Sequence, residues 1–457
     1  MMWTNLDSVY FVGIGGIGMS ALARFFRSQG KHVAGYDRVS TSLTDQLARE
    51  DIDIHFDDST TLIPSEFRDP ERTLVIYTPA VQEDHFELSY FRKRGFRVIK
   101  RSAALGEVFN AGHGVAVAGT HGKTSVSTIL AYLLSESRAG CNAFLGGISK
   151  NFRSNLVTDP ATDTIIAEAD EFDRSFLALF PQLAVVTSMD PDHLDIYHTK
   201  ENLVRGFETF ISQIHDKGKL ILKYGLTPEI PDTLEVLTYS THDPEADYSL
   251  QKLERKGNRY RFTVKTPYNI IPDLTLGVPG LINVENALAA LAAADQLGVS
   301  HEELTRSMPR FSGVERRFDV RVEKADRIYI DDYAHHPEEL RALITSVREM
   351  YPGKRITGIF QPHLYSRTRD FAGGFAESLG LLDELILLDI YPAREEPIPG
   401  VSSDIIFRKT ELVEKVLIRK EQLLRVIKER DPQVLLTMGA GDIDRLVEPL
   451  TDWMKRK

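Results

Sequence analysis

Val115-Ala116-Val117-Ala118-Gly119-Thr120-His121-Gly122-Lys123-Thr124-Ser125 is the stretch that decides the fold. Four small apolar residues in succession read as a strand buried on both faces, as in a parallel sheet covered by helices. A full P-loop would carry glycine at position 117, where Val117 stands, so a shorter Gly119-x-x-Gly122-Lys123-Thr124 loop remains. Backbone N–H groups in such a loop form an anion nest. The lysine can reach β- and γ-phosphates, and the threonine hydroxyl can ligate Mg²⁺. Gly119, Thr120, His121, Gly122, Lys123, Thr124 and Ser125 are therefore the candidate nucleotide-triphosphate residues, against the plainer reading of a structural turn.

Downstream, two apolar runs end in acids. Glu168, Asp170, Glu171 and Asp173 close the strand expected over 164–170, and Asp190, Asp192, His193 and Asp195 close that over 183–190. Ligands of open parallel sheets bind beyond the carboxyl ends of strands. Oxygen-rich sites there suit Mg²⁺, which singles out Thr124, Glu168 and His193 as metal candidates; solvated surface charges are the alternative. The polar stretch from about Leu226 to Pro272 reads as an antiparallel insertion. NVENALAALAAADQLG (283–298) reads as a helix with Asn283 and Asn286 on one face, although Asn283 would equally serve as its N-cap. Arg316 and Arg317 follow, suited to an inter-domain salt bridge or to neutralising charge at a phosphoryl site.

Upstream, Gly13-Ile14-Gly15-Gly16-Ile17-Gly18 sits between a short apolar run from Val9 and a helical pattern closing on Gly30. Its glycines allow backbone N–H groups to approach a pyrophosphate. Asp37 lies 19 residues past Gly18 at the end of the next strand, where dinucleotide folds place a ribose-contacting acid. The pattern does not separate NAD from another ligand bearing a pyrophosphate and a ribose. The last third repeats the strand–helix rhythm. Asp331-Asp332-Tyr333-Ala334-His335-His336-Pro337 and Gln361-Pro362-His363 end two of its strands. The paired histidines lack thiolates and a third ligand at metal spacing, so polar substrate contacts are preferred; Arg367 suits bidentate capture of a carboxylate. Three α/β segments result: 1–108, 109–318 and 319–457.

A chain of 457 residues fits about three domains at roughly 150 residues each. With 42% hydrophobic and 26% charged residues it is neither disordered nor fibrous. It has no run of apolar residues long enough to span a bilayer and no basic region before the first apolar run, so neither a membrane span nor a secretory signal is expected. One cysteine, Cys141, suits a reducing compartment. The net charge of −11 argues against a nucleic-acid partner.

GIGGIGMSALA, AVAGTHGKTS, EADEFDRSFL, SMDPDHLDIY, NVENALAAL, FSGVERRFD, DDYAHHPEEL and QPHLYSRT occur in one order along essentially the whole chain. Together they resemble the Mur ligase family. The resemblance implies an N-terminal Rossmann-like domain for a UDP-substrate, a central P-loop ATPase-type parallel sheet, and a C-terminal Rossmann-like domain that brings an amino acid. It implies ATP and Mg²⁺ as cofactors, UDP-N-acetylmuramate and L-alanine as substrates, and an acyl phosphate between them. A bacterial cytoplasmic setting and a monomer or homodimer go with it.

By this matching Gly15, Gly16, Ile17 and Gly18 take the UDP pyrophosphate, with Asp37, Thr78 and Arg101 around the nucleotide. Lys123 meets ATP phosphates, Thr124, Glu168 and His193 serve Mg²⁺, Asn283 and Asn286 flank adenine, and Arg317 meets the transferred phosphate. Asp332, Tyr333, His335, His363 and Arg367 fall at the amino-acid side, with His335 or Asp332 as base. The chain departs from the family pattern at Ile282, Leu364, Ser366 and Phe172. A murein-peptide recycling ligase of the same family is the second reading, ahead of a P-loop kinase or ATPase and an NAD-dependent dehydrogenase.

Overall fold

The computed structural model describes residues 5–191, 194–197, 199–393 and 395–456, without the side chains of Asp173, Leu194 and Asp195. His193, the imidazole expected at the metal site, lies outside the described residues, as does Asp192. The described residues form three sheets.

The first sheet contains β1 (Ser8–Val12), β2 (His32–Tyr36), β3 (Asp53–His55), β4 (Thr73–Tyr77) and β5 (Arg97–Lys100), in the order β3-β2-β1-β4-β5 and parallel throughout. The order reverses at β1, so the crevice beyond its carboxyl end is the topological switch point where ligands of such sheets bind. The glycine loop leaves β1 at that point and feeds α1 (Ile17–Ser28).

The second sheet contains β6 (His113–Ala118), β7 (Asn142–Ser149), β8 (Ser154–Val157), β9 (Thr164–Ala169), β10 (Leu183–Val186), β11 (Lys219–Lys223), β12 (Glu235–Ser240), β13 (Tyr248–Lys256), β14 (Arg259–Lys265) and β15 (Ile270–Thr275). Its order is β15-β14-β13-β12-β11-β10-β6-β9-β7-β8. Val115–Ala118 are fully buried between β10 and β9, as the run of small apolar residues predicts. The expected antiparallel insertion is corrected in part. β12 pairs parallel with β11, and β13 parallel with β12, so the polar stretch prolongs the parallel sheet. The two-residue link Gly257-Asn258 between β13 and β14 and the four-residue link 266–269 between β14 and β15 are too short for a crossover, so these last strands reverse direction as the antiparallel reading expects.

The third sheet contains β16 (Asp319–Glu323), β17 (Ile328–Asp332), β18 (Ile356–Phe360), β19 (Glu384–Leu387), β20 (Lys415–Leu417) and β21 (Val434–Met438), ordered β16-β17-β21-β18-β19-β20. Only β16 runs antiparallel to its neighbour. Ile328 and Ile330 pack into one apolar cluster and Tyr329 into another, the period of two expected of a strand covered on both faces.

Contacts divide the chain into two compact units. One comprises Met1–Gln251, Thr263–Leu274 and Asn286–Met308; the other comprises Lys252–Phe262, Thr275–Glu285 and Pro309–Lys457. The first unit holds both the glycine-loop sheet and the P-loop strand because a single apolar cluster runs from Val9 and Phe26 through Phe109 and Phe144 to Phe176 and Phe207. Cys141 is buried in this unit, its thiol donating to the Ala131 carbonyl at 3.4 Å. No helix among the described residues is long and apolar enough to cross a membrane.

Candidate active site

At the switch point of the first sheet, Gly13 takes φ +89°. It has no room for a side chain, since an added Cβ would overlap Thr78. The N–H of Gly15 donates to Asp37 Oδ2 at 2.7 Å. A Cβ on Gly15 would meet that carboxylate at 2.9 Å, and one on Gly18 would meet Arg101 Nη1 at 2.6 Å. Glycine loop, Asp37, Thr78 and Arg101 therefore converge, and Ile17 is exposed at the start of α1. Arg101 opens the helix Arg101–Phe109 and stands 4.0 Å from Asp170 beyond β9, beside the second site.

The second site is the loop between β6 and the helix Lys123–Ser135. Gly119 (φ +132°) and Gly122 (φ +83°) adopt conformations open only to glycine at low cost. The hydroxyl of Thr120 pairs with Ser188 at 2.9 Å, and His121 N–H donates to the same Ser188 oxygen at 2.8 Å. His121 Nε2 stands 3.8 Å from Asp190. A Cβ on Gly122 would meet Asn286 Oδ1 at 2.8 Å, so Asn286 lies against the loop. Ser125 follows in the first helical turn.

Lys123 is held in place. Its ammonium donates to the Gly119 carbonyl at 2.7 Å and to both oxygens of Glu171 at 2.7 and 3.0 Å. Burial pulls the lysine pKa down, but Glu171, Asp170 and Glu168 more than offset this and hold it raised, so the ammonium stays charged. Thr124 Oγ1 donates to Glu168 Oε2 at 2.8 Å, and a Cβ on Gly146 of β7 would overlap that carboxylate. A hydroxyl and a carboxylate at a strand end are the hard oxygen donors that Mg²⁺ takes together with phosphate and water, so the residues present fit that ion. Among the described residues no cluster of three or more His, Cys, Asp or Glu side chains forms a self-contained metal site.

The second unit brings together a third set. Arg316 (φ +60°) and Phe318 (φ +46°) are left-handed non-glycine residues on either side of Arg317, a conformation that costs about 1–3 kcal/mol per residue and persists only where the surroundings enforce it. Here Arg316 Nε donates to buried Asp331 at 3.2 Å and its Nη2 to the Gly439 carbonyl at 2.6 Å. Asp332 accepts from the N–H groups of Phe318 at 2.6 Å and Ala334 at 2.7 Å. The guanidiniums of Arg316 and Arg317 lie 5.2 and 5.0 Å from the Tyr333 ring, within cation–π range.

Asp332 keeps some solvent contact, yet protein atoms crowd its carboxylate. That desolvation raises its pKa to about 6, against the pull of Arg317 and the two N–H groups. With one oxygen accepting from each N–H, Asp332 holds the Arg317 turn. His335 Nδ1 donates to the Tyr333 carbonyl at 3.0 Å, which leaves Nε2 as the basic nitrogen. Its ring stands 6.0 Å from that of His363, which stacks on Tyr391. Arg367 is buried in the helix Tyr365–Asp370, which begins after Leu364 in a left-handed conformation, φ +69°. The histidine pair forms no metal cluster among the described residues.

Asn283 is not the helix cap that the sequence allows. The helix begins two residues earlier, at Leu281, and the Asn283 amide donates to the Pro279 carbonyl at 2.6 Å.

Comparison with known proteins decides the family. The Mur ligase family catalytic-domain model matches residues 8–113, the Mur ligase middle-domain model residues 117–294, and the Mur ligase glutamate-ligase-domain model residues 316–441. UDP-N-acetylmuramate–L-alanine ligase of Parabacteroides distasonis is 53% identical over 450 residues, covering 98% of this chain and 97% of that protein. The chain belongs to the Mur ligase family. Among solved structures, UDP-N-acetylmuramate-alanine ligase of Thermotoga maritima superposes with a TM-score of 0.82 at 27% identity, over 98% of this chain and 100% of that one. A murein peptide ligase of Psychrobacter arcticus shares the fold, with a TM-score of 0.70 at 21% identity over 99% of both chains.

Two residues of this Mur ligase stand out that its motifs alone did not single out. Glu171 was one acid of four, and only the Lys123 contact distinguishes it. Asn155 lies in no motif, yet it is fully buried among polar partners.

Proposed function

We infer that this Mur ligase joins L-alanine to UDP-N-acetylmuramate at the expense of ATP, forming ADP and phosphate in peptidoglycan precursor synthesis. The supporting observation is the 53% identity to a ligase of that name along nearly the full length of both chains. Amide formation from a carboxylate is uphill in water, so the acid must first be activated. The lactyl carboxylate attacks the γ-phosphorus and ADP leaves; the alanine amine then attacks the acyl phosphate, and the tetrahedral intermediate expels phosphate.

In this reading the Gly15–Gly18 loop with Asp37, Thr78 and Arg101 seats the UDP moiety. The Gly119–Ser125 loop, with Asn283 and Asn286, seats ATP. Glu171 keeps Lys123 charged and drawn against the loop until phosphate competes for the ammonium. Thr124 and Glu168, with His193 as a further ligand, would hold Mg²⁺, which would neutralise charge on the phosphates. Arg317 opposes the charge on the transferred phosphoryl group, and its strained turn pre-orients it. His335 takes the amine proton, and Tyr333, His363 and Arg367 bind the amino acid.

The proposed domain division is 1–108 for the UDP substrate, 109–318 for ATP and 319–457 for the amino acid; one sheet per segment supports it. The setting proposed is the bacterial cytoplasm, with the chain as a monomer or homodimer. The test is phosphate release with ATP, UDP-N-acetylmuramate and L-alanine, each omitted in turn. Release that needs all three is expected; release without L-alanine, or dependence on murein tripeptide instead, would overturn the reading.

A further inference from the structure

Helix α1 begins just after Gly16 with no side chain capping it, so nothing in its own sequence fixes the first turn that leaves the glycine loop. The fixing group comes from β8. The Asn155 amide nitrogen donates to the Ile17 carbonyl at 2.6 Å and to Ser20 Oγ at 2.9 Å. Its amide oxygen accepts from Arg24 Nη1, and Arg24 in turn grips Glu50 through Nε and Nη2 at 2.7–3.0 Å. Asn155 is fully buried. Its two donors and its oxygen all have partners, which fixes which way round the amide sits. A buried amide satisfied on every side is rigid, and costly to disturb.

The same hairpin touches the other site. β8 pairs antiparallel with β7, Phe144 opposite Leu156 and Ser149 opposite Ser154. Phe144 of β7 packs on Phe25 of α1, ring centroids 5.3 Å apart. Two residues on from Phe144, Gly146 lies against the Glu168 carboxylate that accepts from Thr124. One hairpin therefore contacts the first turn beyond the glycine loop with Asn155 and the candidate metal carboxylate with Gly146. We propose that Asn155 is a positioning residue that fixes the UDP-substrate loop relative to the phosphoryl-transfer site through the β7–β8 hairpin. The inference rests on the functional reading above. Its chemical rationale is that the substrate carboxylate and the γ-phosphorus must meet in near-attack geometry, where small displacements cost rate steeply.

The test uses the full-length protein and two variants. Asn155→Ala removes the amide. Asn155→Asp keeps the shape and the acceptor for Arg24 but replaces the donors to Ile17 and Ser20, so it also serves should the alanine variant fail to fold. Calorimetric titration with UDP-N-acetylmuramate alone should show binding about tenfold weaker in both, as expected when a buried hydrogen bond leaves its partner unsatisfied. Steady-state kcat should fall about tenfold while the KM for ATP stays within about twofold. A purely structural role would instead lower the active fraction and leave Kd and the KM values untouched. Unchanged Kd and kcat in Asn155→Asp, or parallel rises in the KM for ATP and the Kd, would overturn the proposal. Failure of the wild-type protein to bind UDP-N-acetylmuramate would instead sink the functional reading of the glycine loop.

Discussion

The first unit holds two glycine-rich loops that begin alike and end differently. Each follows a buried parallel strand and opens a helix. In the first, Asp37 accepts the Gly15 N–H, and the glycines make room for neighbouring side chains, Thr78, Asp37 and Arg101, to close around the backbone. In the second, the loop carries its own cation, which lies on a loop carbonyl and a fully buried glutamate. A loop that only grips a pyrophosphate needs shape and N–H groups. A loop where phosphate is transferred needs a charge in place before the reaction starts, because preorganised charge costs no rearrangement at the transition state.

That contrast sets the order of expected effects. Lys123→Ala should cut ligation about 10³-fold while calorimetry finds UDP-N-acetylmuramate binding unchanged; weakened UDP-substrate binding would erase the distinction between the loops. Arg317→Lys should cost about 10²-fold in kcat, since an ammonium cannot reproduce the planar fork that lies over Tyr333. Gly18→Ala places a methyl against Arg101 and should weaken UDP-substrate binding about tenfold with the KM for ATP unmoved, the converse of the lysine result.

A subtler effect concerns pH. Asp332 protonates near pH 6, losing the charge that faces Arg317, so kcat/KM should fall on the acid side near that value. Asp332→Asn should be slower and lack that limb. The sign for stability is opposite. A folded-state pKa above the ordinary 3.8 means a contribution fully present below about pH 3.8 and lost as pH rises through about 6.

The smallest effect belongs to the first sheet, where Tyr10 donates to fully buried Glu87 and His55 stands 3.1 Å from the same carboxylate. Burial lowers the His55 pKa, but Glu87 more than offsets it and holds it raised. Its stabilisation is present below about pH 6.5 and lost as pH climbs through the raised value. Melting curves from pH 6 to 9 should show His55→Gln flattening that slope by about 2 °C.

Local pattern made much of this legible. Runs such as Val115–Ala118 declare buried strands, and a glycine loop between strand and helix marks a candidate phosphate site. What escaped depends on distant partners. Glu171 differs from Asp170 only because the turn after β9 carries it under the loop, where the Tyr197 hydroxyl donates to its carbonyl at 2.8 Å. Asn155 contacts residues more than 130 positions away. Asn283 is no cap because the helix begins two residues before it, and the two amides that hold the Asp332 carboxylate belong to a turn that the local pattern does not announce.

The burial of Cys141 has a practical side. Its thiol is pushed up to about 12 by desolvation, so thiol reagents at neutral pH find almost no thiolate to attack, and the natural chain is already a silent background for labelling. A single cysteine introduced at exposed Val413 or Tyr268 would carry a fluorophore or spin label alone, with no native residue to remove first.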